Sequence, residues 1–151
     1  MQALGRHVLI ELWQCNSRIN DADSVREAIV KAVDAIGATI LNLHVHAFEP
    51  QGVTGLALLA ESHFSIHTWP EHGYLAADVF TCQTNAHSDD AVAVLRQVFQ
   101  PESVEVRELE RGVNPDSHQP TRVQVNRREL GHVAHSALEP CDESTVFESN
   151  R

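Results

Sequence analysis

The amino-acid sequence predicts an α+β fold, a two-layer α/β sandwich in which two helices cover a largely antiparallel sheet. Two stretches carry apolar residues at helical spacing, beginning near residues 25 and 91. Several shorter stretches alternate apolar and polar residues or are rich in β-branched ones, as strands are. Short turns separate most of these strands, so neighbouring strands are expected to run antiparallel. Amphipathic helices need an apolar surface to cover, and such a sheet provides it.

The first predicted elements are a strand at residues 6–14 and a helix at residues 25–36. The strand stretch is rich in Val, Leu, Ile and Trp. Apolar residues recur every three or four positions in the helix stretch, and Asp23 or Ser24 is its expected N-cap. Gly37 follows at the position where a glycine commonly ends a helix.

Further strands and a second helix follow along the chain. Alternation or β-rich composition predicts strands at residues 38–48, 53–60, 74–81 and 103–109. In the first of these, four alternating residues are expected on one apolar face: Leu41, Leu43, Val45 and Ala47. The last is expected to be an edge strand with one wet face. The second helix begins at the capping cluster Ser88-Asp89-Asp90, and Pro101 stops it.

The regular pattern ends near residue 112. Polar residues dominate beyond that point, and apolar residues there are single and aperiodic. We therefore expect one domain at residues 1–112 and a mostly disordered C-terminal tail at residues 113–151.

Composition narrows the class of protein. The 151 residues include 11 Lys and Arg against 21 Asp and Glu, a net charge of −10, which argues against nucleic acid and suits a cationic small molecule. Cys15, Cys82 and Cys141 form no CxxC pair and predict a reduced, intracellular protein. Because no apolar run is long enough to span a bilayer and no secretory signal begins the chain, we expect a cytoplasmic protein without a membrane partner.

Residues 59–71 concentrate the chemistry of the chain, with a hydroxyl, two imidazoles, two carboxylates and an indole in thirteen positions. If the stretch is extended, alternate side chains share a face. One face then carries His63, Ser65, His67 and Trp69, and the other carries Phe64, Ile66 and Thr68. Ser62 joins the second set unless a turn at Glu61-Ser62 breaks the alternation.

Other kinds of site find little support in the sequence. His44 and His46 share one strand face, as do His63 and His67, yet no spacing matches a zinc signature, and we expect no metal site. A serine hydrolase would place its nucleophile in a G-x-S-x-G turn, and Ser62 has neither glycine. Taken alone, Cys82 fits a small buried residue at the end of a strand.

The chain resembles the small bacterial and archaeal S-adenosylmethionine decarboxylases over roughly residues 4–112. The motifs that carry the resemblance are Leu4-Gly5-Arg6-His7, Pro50-Gln51-Gly52-Val53, Glu61-Ser62-His63, Ile66-His67-Thr68-Trp69-Pro70-Glu71, Gly73-Tyr74, Asp78-Val79-Phe80-Thr81-Cys82 and Val104-Glu105-Val106-Arg107-Glu108-Leu109. The central block is long and unusual in composition, so its specificity is high.

The resemblance implies an enzyme that cleaves its own backbone between Glu61 and Ser62. The Ser62 hydroxyl would attack the Glu61 carbonyl to form an ester, and elimination followed by loss of ammonia would leave a covalent pyruvoyl group derived from Ser62. This cofactor would form a Schiff base with the amine of S-adenosylmethionine and accept the electrons left when CO2 departs. The product, decarboxylated S-adenosylmethionine, is the aminopropyl donor for spermidine biosynthesis.

The resemblance also implies roles for individual residues. His67 corresponds to the processing base, Thr54 stands where the family usually has a serine that assists processing, and Cys82 corresponds to the proton donor to the substrate carbon. Substrate-binding positions are Phe48, His67, Trp69 and Glu71, of which the aromatic ones line a nucleoside pocket and Glu71 offers a carboxylate to the ribose or the sulfonium. The family forms a homodimer with two sites at the interface.

Two departures from the family pattern leave alternatives open. Gln83 follows Cys82 where the family usually has glycine, and His72 replaces a common tyrosine.

Relatives with the same processing machinery decarboxylate ornithine or arginine, so a basic amino acid is the rival substrate. A third possibility is an unprocessed protein that binds a nucleoside without catalysis.

Overall fold

The computed structural model describes residues 3–82 and 88–113 with their side chains, and residues 126–129 as backbone. Within these residues the chain forms seven strands and two α-helices. Their bounds are β1 Gly5–Trp13, α1 Ala22–Ala35, β2 Ile40–Ala47, β3 Val53–Leu59, β4 Ser62–Trp69, β5 Tyr74–Thr81, α2 Ser88–Phe99, β6 Ser103–Arg111 and β7 Asn126–Glu129. Neither helix in this part of the chain is long and apolar enough to cross a bilayer.

One antiparallel sheet contains all of these strands, in the order β2-β3-β4-β5-β1-β6-β7. Every neighbouring pair is antiparallel. Helices α1 and α2 pack against each other, and α1 also packs against β2, β3 and β4. The structure therefore confirms the predicted α+β sandwich, with two helices covering an antiparallel sheet.

The core lies between the helices and one face of the sheet. Phe64 and Ile66 of β4 are fully buried there, together with Ile29 of α1 and Leu95 of α2. Burying a side chain of this size contributes about 1.5–3 kcal/mol to folding. The alternation predicted for β4 is thus confirmed on its apolar side.

The opposite side of the sheet, which we call the open face, carries Thr54, Leu56 and Leu58 of β3 and His63 and His67 of β4. Leu56 and Leu58 are 49% and 53% exposed, although both are large apolar residues and β3 has a neighbouring strand on each side. Single exposed leucines are common, but neighbouring ones form an apolar patch, and such patches often mark interfaces.

The predicted N-cap of α1 is wrong by a few residues. Asp21 is the cap, and its carboxylate accepts a hydrogen bond of 2.8 Å from the backbone N–H of Ser24. Hydrogen bonds from the side chain and from the backbone N–H of Ser24 hold the pKa of Asp21 below its usual range, because they favour the charged form. A short 3-10 turn at Ser17–Asn20 brings the chain to Asp21 in extended conformation, so the helix begins earlier than its apolar stripe.

Two predictions about the strands also need correction. Leu41 is exposed instead of facing the core, because a register shift between Ile40 and Asn42 interrupts the alternation of β2. β6 is not an edge strand in this structure, since β1 pairs with one side of it and β7 with the other. β7 also shows that residues 126–129 of the predicted disordered tail form a strand; the tail beyond Val113 otherwise lies outside the described residues.

Candidate active site

The Glu61–Ser62 peptide lies at the tight turn between β3 and β4. Leu59 pairs with Ser62 across a two-residue turn, and the backbone of Ala60 and the carboxylate of Glu61 both bond to the main chain of Thr39, at 2.9 and 3.1 Å. Ser62 has a φ of 149°, a conformation that favours glycine. The break in alternation anticipated at Glu61-Ser62 is therefore present, and it stores local backbone strain at that bond.

Cys82 meets this turn from the end of β5. Its backbone N–H donates a 3.3 Å hydrogen bond to the carbonyl oxygen of Glu61, and its side chain is exposed, in contrast to a buried small residue. Ser62 pairs with Thr81, the residue just before it. An N–H aimed at a carbonyl oxygen stabilises negative charge that develops there during attack on the carbon. The structure thus brings Glu61, Ser62 and Cys82 together.

His63 and Asp78, for which the sequence predicted no role, also lie near Ser62. The Ser62 hydroxyl oxygen lies 3.3 Å from Nδ1 of His63, and Nε2 of His63 lies 3.2 Å from Oδ1 of Asp78. The hydroxyl of Ser65 donates a 2.8 Å hydrogen bond to Oδ2 of Asp78. The motifs contain both His63 and Asp78, but only the register that pairs Ser65 with Asp78 brings them together.

His7 of β1 completes this cluster. Its Nε2 lies 3.6 Å from Oδ1 of Asp78, and both atoms are buried without an aligned hydrogen-bond partner among the described residues. Together with His63 they offer three ligand atoms within 4.8 Å of one another, as a metal site would. However, Nη1 of Arg111 lies 3.0 Å from Nδ1 of His7. A guanidinium only donates, so Nδ1 accepts and the proton is on Nε2, which leaves no lone pair there for a metal.

We call Glu61, Ser62, His63, Asp78 and Cys82 the cleavage group. A second group of predicted residues lies at the other end of β4. There Oγ1 of Thr54 lies 3.0 Å from Nδ1 of His67, and the two residues are register neighbours on β3 and β4. The hydroxyl expected to assist His67 is therefore in contact with it.

The aromatic members of this second group are partly open to solvent. Phe48 is 50% exposed and meets His46 edge to face at 4.7 Å, while Trp69 is 41% exposed and its ring lies 5.2 Å from Tyr74. Glu71 is held by a 3.1 Å hydrogen bond from the side chain of Gln51. We call Phe48, Thr54, His67, Trp69 and Glu71 the pocket group. Its exposed rings can stack on a planar ligand.

One chain does not bring these two groups together. Ser62 and His67 are five residues apart on β4, which corresponds to about 17 Å along an extended strand. His67 is therefore out of reach of the Ser62 of its own chain. Gln83, which departs from the family pattern, lies outside the described residues.

Comparisons with known proteins identify the family of this chain. The family model described as S-adenosylmethionine decarboxylase matches residues 6–112. The "S-adenosylmethionine decarboxylase proenzyme" of Methanococcus maripaludis strain S2 is 45% identical over 117 residues, 77% of this chain and 96% of that protein. The protein of the same name from Thermomicrobium roseum is 50% identical over 117 residues, 77% of this chain and all of its own.

A solved structure gives the same result. The adenosylmethionine decarboxylase of Aquifex aeolicus VF5 superposes with a TM-score of 0.70 at 33% identity, covering 80% of this chain and 100% of that one. The superposition includes the whole of that relative. The part of this chain that has the same fold is therefore also the part that contains the family motifs. The protein therefore belongs to the S-adenosylmethionine decarboxylase family.

Proposed function

We propose that this protein cleaves itself between Glu61 and Ser62 and then decarboxylates S-adenosylmethionine, providing the aminopropyl donor for spermidine synthesis. The observation that carries the proposal is the geometry of that one peptide bond. Ser62 is strained, its hydroxyl is next to an imidazole, and the Glu61 carbonyl accepts a hydrogen bond from Cys82. These are the features that attack of a hydroxyl on the preceding carbonyl requires.

The cleavage would proceed in two stages. In the first, Oγ of Ser62 bonds to the carbonyl carbon of Glu61, and the bond from that carbon to the Ser62 nitrogen breaks, which leaves an ester and a free amine. In the second, a base removes the Cα proton of Ser62 and the Cβ–Oγ bond breaks, which releases Glu61 as a new C-terminus. Water then displaces ammonia from the residue that remains, and a pyruvoyl group results.

The residues around Ser62 fit such a group. When present, it supplies an electrophilic carbonyl that holds the substrate amine and accepts the electrons left by CO2. Cys82 directly follows Thr81, the β5 residue that pairs with Ser62, and its exposed thiol can deliver a proton to the substrate carbon.

A dimer would reunite the two groups of residues. If a two-fold axis pairs the open faces of two chains and passes between the two groups, the cleavage group of one chain lies against the pocket group of the other. The half-exposed Leu56 and Leu58 lie on that face and would become buried. Each of the two sites would then combine Ser62 and Cys82 of one chain with Thr54 and His67 of its partner.

The pocket group favours a nucleoside substrate over a basic amino acid. Phe48 and Trp69 present rings that can stack on adenine, whereas ornithine and arginine contain no nucleobase. A sulfonium cation is also attracted to aromatic faces and to the nearby carboxylate of Glu71. The net charge of −10 favours the approach of a cation in general.

Denaturing intact-mass analysis of freshly purified protein tests the proposal. We expect two fragments, residues 1–61 and 62–151, with the larger one blocked to N-terminal sequencing and reactive toward a hydrazine. Ser62→Ala should remain one chain with an unchanged circular dichroism spectrum. A single unblocked chain in the wild type, or full decarboxylase activity in Ser62→Ala, would refute the proposal.

A further inference from the structure

We infer that His63 is the base that removes the proton from the Ser62 hydroxyl in the first stage of self-cleavage, and that Asp78 positions it. The inference rests on the proposed function, because it names the base for one of its steps. It also assigns the two stages to two different imidazoles. His63 is the base for ester formation, and His67 of the partner chain is the base only for the second stage.

Three contacts carry the inference. Oγ of Ser62, the atom that attacks, lies 3.3 Å from Nδ1 of His63. Nε2 of the same ring lies 3.2 Å from Oδ1 of Asp78. The hydroxyl therefore faces a nitrogen that can accept its proton, while the other nitrogen lies beside a carboxylate oxygen. A base oriented by a third group is the arrangement that activates serine nucleophiles in general.

Asp78 is itself held in place. Ser65 donates to its Oδ2 at 2.8 Å, and Nε2 of His7 lies 3.6 Å from its Oδ1. The contact of Arg111 with Nδ1 of His7 determines that the proton of His7 is on Nε2. Ser65 thus fixes one oxygen of this carboxylate, and the other lies near His7 and His63, where it can stabilise the imidazolium that forms on His63.

Ester formation needs no proton donor or acceptor other than Ser62 and His63. The hydroxyl proton of Ser62 moves to Nδ1 of His63 as Oγ bonds to the Glu61 carbon. The negative charge that develops on the Glu61 oxygen is stabilised by the N–H of Cys82. His63 then returns the proton to the departing nitrogen of Ser62, and no other reactant is consumed.

The position of His67 supports two separate bases. It lies about 17 Å along β4 from Ser62 of its own chain, whereas His63 adjoins Ser62 in the sequence. The first stage therefore needs nothing from a second chain. The second stage, in which the Cα proton is removed, is the one that waits for the partner.

Ester formation can be measured separately from elimination. In a His67→Ala background elimination is blocked, and hydroxylamine cleaves any ester between residues 61 and 62 into two fragments. We would make the full chain in a cell-free system and follow hydroxylamine-dependent cleavage over time in His67→Ala and in His67→Ala/His63→Ala. We expect the second variant to form ester at least about 100-fold more slowly, as loss of a general base does.

Matched variants separate catalysis from folding. His67→Ala/His44→Ala removes an exposed histidine of β2 and should form ester at the rate of His67→Ala alone. Added imidazole should restore ester formation to the His63→Ala chain, because the His63 side chain is 38% exposed and leaves an accessible space. Asp78→Asn should slow ester formation and respond less to imidazole, whereas Asp78→Glu should recover part of the rate.

Two results would overturn the inference. One is ester formation at an equal rate with and without His63. The other is a slow His63→Ala chain that imidazole does not rescue although its circular dichroism spectrum matches that of His67→Ala. Both leave the proposed function standing as long as the wild-type chain still cleaves itself, so failure of the inference and failure of the proposed function are distinguishable.

Discussion

The hydroxyl of Thr54 lies 3.0 Å from Nδ1 of His67 and joins β3 to β4 at the pocket end of the open face. The resemblance implied a serine at this position, and the threonine keeps the oxygen while adding a methyl group. Because the two residues are direct neighbours in the antiparallel register, the contact is set by the sheet itself.

Thr54→Val should slow self-cleavage, because valine replaces the hydroxyl by a methyl group of similar size and leaves His67 without this partner. A hydrogen bond of this kind contributes about 0.5–1.5 kcal/mol, so we expect a rate up to about tenfold lower. Thr54→Ser should cleave at the wild-type rate. Denaturing mass spectrometry over time measures the cleaved fraction, and equal rates for all three proteins would show that the hydroxyl has no part in processing.

Mixing two inactive chains should restore cleavage if the site is shared between protomers. In a mixed dimer of Ser62→Ala and His67→Ala, one of the two sites contains both wild-type residues, and the Ser62 in that site belongs to the His67→Ala chain. Only that chain should therefore be cleaved, in up to half of the sites of each mixed dimer. Mass labels on one chain identify it, and no cleavage, or cleavage of the other chain, would contradict the shared site.

Phe48→Ala should weaken binding of S-adenosylmethionine. Stacking of a base on an aromatic ring contributes about 1–3 kcal/mol, so we expect a KM about 5- to 150-fold higher, with self-cleavage unaffected. Leu41→Ala, which removes another exposed apolar side chain near the same edge of the sheet, serves as the control. Turnover of ornithine or arginine that does not depend on Phe48 would instead favour the rival substrate class.

The two described cysteines should differ in reactivity. Burial raises the pKa of the Cys15 thiol to about 12, so at pH 9 only about one molecule in 1000 carries the reactive thiolate there. Cys82 is exposed. Brief treatment with iodoacetamide followed by peptide mapping should find the label on Cys82 and little on Cys15, and labelling of Cys82 should abolish decarboxylation. Equal labelling of the two thiols would contradict the burial of Cys15.

Gly55→Ala should destabilise the fold without touching either group of site residues. A methyl group at this position would collide with the side chain of Ile29 and approach that of Val25 to 3.3 Å. Overpacking of this kind costs about 1–3 kcal/mol. Urea denaturation of the Ser62→Ala background, which keeps the chain intact, measures the loss, with the exposed Val30→Ala as control. An unchanged midpoint would mean that the Ile29 side chain makes room for the methyl group without cost.

Local patterns accounted for most of the secondary structure. β5 has the bounds predicted from its sequence, and α2 begins at the predicted cluster, because each depends on neighbours within a few positions. The predictions for Leu41 and β6 were wrong because each depends on pairing between strands, which the local sequence pattern does not show. The bulge in β2 turns Leu41 outward, and β7 covers an edge of β6 from far along the chain.

The motif of residues 59–71 and the residues around Cys82 were sufficient to predict the family, whereas the cleavage site and the roles of the site residues stay predictions. Only the tertiary structure decided which of those residues meet. The register of β4 against β5 places Asp78 beside His63 and Cys82 beside Glu61, and the length of β4 keeps His67 away from Ser62. Pairing between strands joins residues that are distant in sequence, so no local pattern encodes these contacts.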